Sequence, residues 1–358
     1  MLAPIRDYLC PQNPKSTPLL SSTKDHYFAR LSVVLDPTKP EFEKAQWIRS
    51  EDVNVEHLLD VFTSIDENSG DVWNACIHFL DHLCRHKPRV TVLMQRIESL
   101  PDGHHSKSQC LVKLAGIFNA IGGHAERKRL LTHALKLRRQ QGDNFGVAQT
   151  LADLSDANRR LYLYEEGIQQ GKEASEIFKR FGNTTNQAIC WKDLALLFYD
   201  DGQLDAAEDA ISRAINLIPE GGQEHLACES HCVLGNIHRS RGERERAIHN
   251  FEKALRIASP FNLHDYLFWN HWSMAILFCD QSEFNEANAH IEQATLHAAH
   301  NEYNLGRATE TRARVWHLQH RLEDAKSEAL CALKFYEKLG AVTDIERCSG
   351  LLQSWNEQ

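Results

Sequence analysis

Residues 191–219 carry the pattern Trp191-x2-Leu194-Ala195-x2-Phe198-x3-Gly202-x4-Ala207-x3-Ile211-x2-Ala214-x4-Pro219. Trp191, Leu194, Ala195 and Phe198 recur at i, i+3, i+4 and i+7, which puts them on one face of a helix. Gly202 permits the positive φ of a tight helix–helix turn. Ala207 and Ala214 lie two turns apart on the close-packing face of a second helix. Pro219 lacks a backbone donor and helps end that helix. The stretch reads as helix, turn, helix, and its framework residues serve packing. A larger side chain at Ala207 or Ala214 is expected to cost ~1–3 kcal/mol through overpacking.

The same unit recurs along the chain. With the last alanine of the motif as a register mark, Ala134, Ala174, Ala214, Ala254 and Ala294 fall every 40 residues, and Ala332 follows after 38. Ala207, Ala247, Ala287 and Ala325 mark the second helix, while Arg127 and Gly167 stand at that position in the first two units. Gly142, Gly182, Gly222 and Asn262 form a second lattice where each second helix should stop, because Gly and Asn tolerate the left-handed conformation that closes a helix. The register slips after Asn262, where Asn301 and Asn304 occupy the corresponding turn. Thr343–Trp355 reads as a final capping helix, which an array needs because its last repeat otherwise exposes an apolar face.

The spacings of Trp, Leu, Gly, Ala and Pro resemble the tetratricopeptide repeat, a helix–turn–helix unit of 34 residues. The longer unit here is similar to that of kinesin light chains and related scaffold proteins. The resemblance implies an all-α fold, a right-handed α-α superhelix of six repeats over 105–339. A capping helix at 340–358 follows them. Leading helices with a degenerate repeat at 51–104 and a non-repeat extension at 1–50 precede them.

The wording of residues 30–66 (RLSVVLDPTKPEFEKAQWIRSEDVNVEHLLDVFTSID), with ERKRLLTHALKLRR and DDGQLDAAEDAISRAINLIPE further on, looks like the C-terminal region of fungal NACHT/NB-ARC-type (STAND) signalling proteins. That resemblance implies a partner-sensing arm. Its nucleotide chemistry does not carry over, because the chain has no GxxxxGK[ST] loop. The nearest decoy, Gly167-x3-Gly171-Lys172-Glu173, falls inside an expected helix whose amides are already hydrogen-bonded.

Bulk properties agree with a folded array. Hydrophobic residues make up 42% and charged residues 25% of the 358, a foldable composition. The net charge of −9 argues against a nucleic-acid partner, which calls for a basic stripe. No apolar run approaches the ~20 residues that span a bilayer, and no signal-peptide core is present, so a cytoplasmic location is expected. The ten cysteines form no CxxC pair and no disulfide framework.

His78, His82 and His86 share a helix face and have zinc-ligand chemistry, but no HExxH accompanies them, and a solvated face is the stronger reading. Cys228, His231 and Cys232 read as packing within the array. No GxSxG or cysteine-protease signature occurs. No catalytic residue, metal or cofactor is therefore expected, and the protein reads as a non-enzyme.

What remains is a binding surface. In the resembling repeats the first helices line a concave groove that receives a peptide or a helix. Carrying the groove-facing offsets over residue by residue singles out Asp156, Arg159, Lys192, Tyr199, Asn236, Arg239, Trp272 and Arg314. Arg159, Lys192 and Arg239 would form a basic track able to pair with carboxylates, with Tyr199 and Trp272 as aromatic anchors. Reversing Lys192 and Arg239 to Glu is expected to weaken a partner without changing the melting temperature. The expected partner is a protein or peptide, with self-association left open; a constitutive scaffold subunit is the competing reading. A chaperone-tail clamp is disfavoured, because Leu196 and Cys232 stand where it needs polar residues.

Overall fold

Each helix begins and ends where side chain and backbone chemistry allow it. Asp143 and Asn183 cap following helices by accepting from the amides of Gly146 and Asn186, both at 2.9 Å. Asn301 accepts from Tyr303 and Asn304 in the same way. Such caps satisfy amides that no intrahelical carbonyl can reach. The helix stops expected at Gly142, Gly182, Gly222 and Asn262 all take positive φ, from 50 to 82°.

A computed structural model describes residues 94–357 apart from 96, 105–106, 121, 220, 299–300 and 340. The expected N-terminal extension, nearly all of the leading segment, and His78, His82 and His86 lie outside the described residues. From Lys107 onward the described residues form thirteen α-helices and one 3-10 turn, residues 94–95 and 97–99 are also helical, and there is no strand among the described residues. The helices are α1 (Lys107–Ala120), α2 (His124–Gln141), α3 (Asn144–Arg160), α4 (Tyr164–Arg180), α5 (Thr184–Asp200) and α6 (Leu204–Leu217). They continue as α7 (Glu224–Ser240), α8 (Arg244–Ala258), α9 (His264–Asp280), α10 (Phe284–His297), α11 (Glu302–Leu318), α12 (Leu322–Leu339) and α13 (Val342–Asn356). The 3-10 turn Ser259–Phe261 follows α8.

The chain divides into two compact units, Met1–Gln170 and Gly171–Gln358, with the division inside α4. In the first, α1, α2 and α3 pack in succession. In the second, α5 through α13 pack each on the next, and the first helices of successive pairs, α5, α7, α9 and α11, also lie side by side. This is the tandem all-α solenoid expected from the 40-residue lattice.

The alanine ruler is the core. Ala207, Ala214, Ala247, Ala254, Ala287, Ala294, Ala325 and Ala332 are all fully buried. Size is traded between facing positions. Gly235 stands where the preceding pair has Ala195, and a Cβ there would lie 2.5 Å from the ring of Phe251. Phe251 in turn stands where that pair has Ile211, so small and large side chains compensate across the interface. Trp191 departs from the expectation that it is consumed in packing. It is half-buried, and the Arg213 guanidinium sits 4.8 Å from its ring centroid.

The turn inside each pair reveals a lattice that composition hides. Gly122, Tyr162, Gly202, Gly242, Ser282 and His320 all have positive φ, at spacings of 40 and finally 38 residues. Half of these are not glycine, although a left-handed conformation costs a residue with a Cβ roughly 1–2 kcal/mol. The packing of the two helices holds the turn in that shape whatever residue occupies it.

Candidate functional site

The faces of α5, α7, α9 and α11 are laced together by side-chain bonds between residues about one repeat apart. Lys192 Nζ donates to Glu229 at 2.9 Å, and the Tyr199 hydroxyl meets Ser240 Oγ at 2.8 Å. Asn236 Nδ2 donates to Ser273 Oγ at 3.4 Å, Arg239 to Asp280 at 2.8 Å and Trp272 Nε1 to Thr311 Oγ1 at 2.9 Å. The separations run from 37 to 41 residues. Helices one repeat apart present the same face, so a polar side chain on one meets its counterpart on the next.

This lacing changes what the sequence-selected residues are available for. Lys192 is buried, its side chain 11% exposed, between Asp193 at 3.0 Å and Glu229. Burial opposes its charge, but the two carboxylates outweigh burial and raise its pKa above the ordinary lysine value. The ammonium is therefore a neutralised interior cation and not an open groove charge. Arg239 is paired with Asp280, and Arg314 with Glu310 at 2.8 Å. In the first unit, Asp156 accepts from Arg127 at 2.6 Å and from Arg159 at 3.2 Å. Burial works against the Asp156 charge, and the neighbouring arginines, Arg127 foremost, hold its carboxyl below the usual range. Asp156 thereby neutralises Arg127, the buried cation standing at a small-residue position of the repeat. Within the second unit, the basic track is reduced to paired charges.

The face of α9 and α11 is different. Trp269 and Trp272, half-buried and one turn apart on α9, meet edge to face with ring centroids 5.5 Å apart. Arg307 of α11 places its guanidinium 5.4 Å from the Trp269 ring, 5.2 Å from Trp272 and 5.2 Å from Tyr303. Its Nη2 donates to the Tyr303 hydroxyl at 3.1 Å, while Nε is buried without a partner. The nearest carboxylate is Asp344 at 4.0 Å, and that group is taken by Arg347 at 2.7 Å and by the Tyr303 hydroxyl at 3.2 Å.

Trp269 and Arg307 occupy the same repeat position, five residues before the Leu194 equivalent. The transferred offsets skipped this row. The signal that could have found it was the Trp269-x2-Trp272 pair, two large aromatics a turn apart in one helix. Beside them, the buried Glu310 gathers Arg347 through two bonds, at 2.9 and 2.6 Å, with Arg314 and the Tyr336 hydroxyl at 2.9 Å. Burial opposes its charge, yet Arg347 and Arg314 keep Glu310 ionised below the usual range. That network fastens α13 to α11.

Four imidazoles line the α9–α10 interface. His271 Nδ1 lies 3.0 Å from His290 Nδ1, and His264 Nδ1 lies 3.3 Å from His297 Nδ1. His271 stacks on His297, and His290 on Phe278. Burial, then the neighbouring imidazoles, depress His271 to about 4. Among the described residues no group of three or more His, Cys, Asp or Glu side chains could hold a metal ion. Burial pushes the Cys232 thiol up to about 12, which suits packing and not nucleophilic chemistry. No described helix is long and apolar enough to cross a membrane.

A tetratricopeptide-repeat family model matches residues 229–260. That span runs from the middle of α7 to the 3-10 turn after α8, one of the six helix pairs. No curated protein matches the chain. Among solved structures, a Rap protein complexed with competence and sporulation factor is similar with a TM-score of 0.59 at 11% identity, covering 95% of this chain and 98% of that one. Aspartyl phosphate phosphatase F from Bacillus subtilis is similar with a TM-score of 0.54 at 12% identity, covering 97% and 95%. The apo quorum sensor NprR from B. thuringiensis gives 0.55 at 12%, covering 93% and 99%. At such identities the likeness is one of fold: tandem helical hairpins of the tetratricopeptide type.

Proposed function

We propose that the protein is a non-enzymatic peptide-binding solenoid whose recognition surface is the first-helix face of the second unit, centred on α9 and α11. The observation that carries this reading is the Trp269, Trp272 and Tyr303 set. These are large, half-buried aromatic side chains gathered around Arg307 on the α9–α11 face, where the α5–α7 face has the Lys192–Glu229 ion pair. Aromatic anchors of this kind dominate binding energy where they occur. The solved relative named for its complex with competence and sporulation factor supports it by analogy of fold. The narrower reading, a sensor arm of a STAND-type signalling protein, rests on the wording of residues 30–66, which lie outside the described residues, and of 126–139 and 200–220. None of the similar solved structures named above is of that kind.

Panning purified protein against a random library of N-acetylated, C-amidated octapeptides tests the proposal. Selected peptides are expected to perturb the intrinsic tryptophan fluorescence and to slow amide exchange in α9 and α11. Recovery of no binder, or protection confined to the second helices α6, α8 and α10, would refute it.

A further inference from the structure

Cations on the second unit's first-helix face are matched closely by carboxylates of the chain itself: Lys192 by Glu229, Arg239 by Asp280, and Arg314 by Glu310. Arg307 departs from this. Its guanidinium carries five N–H groups, of which one bond, to Tyr303, is made within the described residues. The side chain is 25% exposed, so the group is neither buried out of reach nor freely hydrated. Three aromatic rings surround it, and rings hold a guanidinium by its face while leaving its N–H edge for in-plane acceptors. The nearest carboxylate, Asp344 at 4.0 Å, lies closer to Arg347 at 2.7 Å, so Arg307 is a positive charge held in place that shares a distant anion and hydrogen-bonds none.

We infer that Arg307 is the specificity determinant of the proposed peptide-binding face, accepting a side-chain carboxylate of the ligand, Asp or Glu, between the rings of Trp269, Trp272 and Tyr303. The inference rests on the reading of that face as the peptide site. The geometry favours a side chain over a chain terminus. A carboxylate on a short methylene stem reaches a partly recessed guanidinium, and the aromatic faces accept the stem. A terminal carboxylate brings its own Cα substituents into the same recess. A planar fork meeting a carboxylate forms two parallel charge-assisted bonds, the geometry in which Arg exceeds Lys.

The test uses the amidated octapeptide library and, in parallel, the same library with free C-termini. Peptides enriched from the amidated library are expected to share an Asp or Glu at one fixed position. Replacing that residue by Asn or Gln should weaken binding roughly 10-fold or more, the equivalent of about 1.4 kcal/mol. Arg307→Gln should bind the acidic and the amide peptide alike, and Arg307→Lys should keep a reduced preference. Each variant is compared with wild type by melting temperature, so that loss of fold is told apart from loss of discrimination. Enriched peptides without a fixed acidic position, or undiminished discrimination by Arg307→Gln, would overturn the inference while leaving the peptide-binding face intact. Binders that require a free C-terminus would overturn the side-chain assignment. The absence of binders in both libraries would remove the inference and the peptide-binding reading together.

Discussion

The pairs α7–α8 and α9–α10 are consecutive copies of one frame, aligned residue for residue at an offset of 40, and they use it in opposite ways. In α7–α8, Glu229 takes Lys192, and His231 bonds to Asn250 at 3.1 Å. In α9–α10 the same three variable positions hold Trp269, His271 and His290. The carboxylate has become a half-buried aromatic, and the imidazole–amide pair has become two facing imidazoles. The framework is indifferent to this change, because its small apolar positions are kept: Ala247 and Ala254 become Ala287 and Ala294, all fully buried. At these positions one pair places an ion pair and an imidazole–amide bond, while the other places aromatic and imidazole rings. Repeats of this type separate the residues that hold the stack from those free to vary, and the variable ones decide where a ligand can dock.

The comparison breaks most visibly at Lys192. If the α5–α7 face is structural, Lys192→Glu puts three carboxylates together in a largely buried site. It should destabilise the protein by about 3 kcal/mol, the scale of breaking a buried pair, read as a lowered urea midpoint. The burial and pairing of Lys192 thus lead to a different expectation from the sequence, which anticipated little change in melting temperature for the Lys192 and Arg239 double change. An unchanged midpoint would return Lys192 to the surface.

Next in size is the packing exchange. Gly235→Ala should cost about 2 kcal/mol, because the added Cβ meets the Phe251 ring. The double change Gly235→Ala with Phe251→Ile copies the Ala275 and Ile291 arrangement of α9–α10 and should recover part of that loss. Additive losses in the double mutant would show that the two pairs do not share one packing frame.

The smallest effect at neutral pH is expected for His290→Asn, which writes the His231–Asn250 pair into α9–α10. His271 and His290 both have folded-state pKa values below the ordinary 6.5, so the unfolded chain binds protons first. The stability they contribute is complete above about pH 6.5 and is lost as pH falls toward 4, the folded value of His271. Between pH 7 and pH 5 the wild-type melting temperature should fall more steeply than that of His290→Asn. Equal slopes would mean that the imidazole pair is solvated and not an interior contact.

Much of the scaffold was legible because its signals are local. Trp191, Leu194, Ala195 and Phe198 share a face through the 3.6-residue period, and the spacing of the alanines, 40 residues and finally 38, marks every described second helix. The binding face was less legible. Offsets carried over from a resembling family selected Lys192 by position, and position says nothing about neutralisation by Glu229, 37 residues on. The same offsets passed over Arg307 and Trp269, whose meaning depends on each other across two helices. The inner turns show this from the backbone side. Gly122, Gly202 and Gly242 announce a left-handed turn, whereas Tyr162, Ser282 and His320 adopt it without announcing it.

The sequence by itself determined the helices, their pairing and the repeat length, because hydrophobic periodicity, small-residue spacing and helix stops act within a few turns of the chain. Only the tertiary structure decided which charges are consumed and which remain available. That outcome depends on which side chains meet across helices one repeat apart. A buried ammonium between two carboxylates and a guanidinium held by three rings look alike until the partners from the neighbouring repeat, Glu229 for one and Trp269 and Trp272 for the other, are in place.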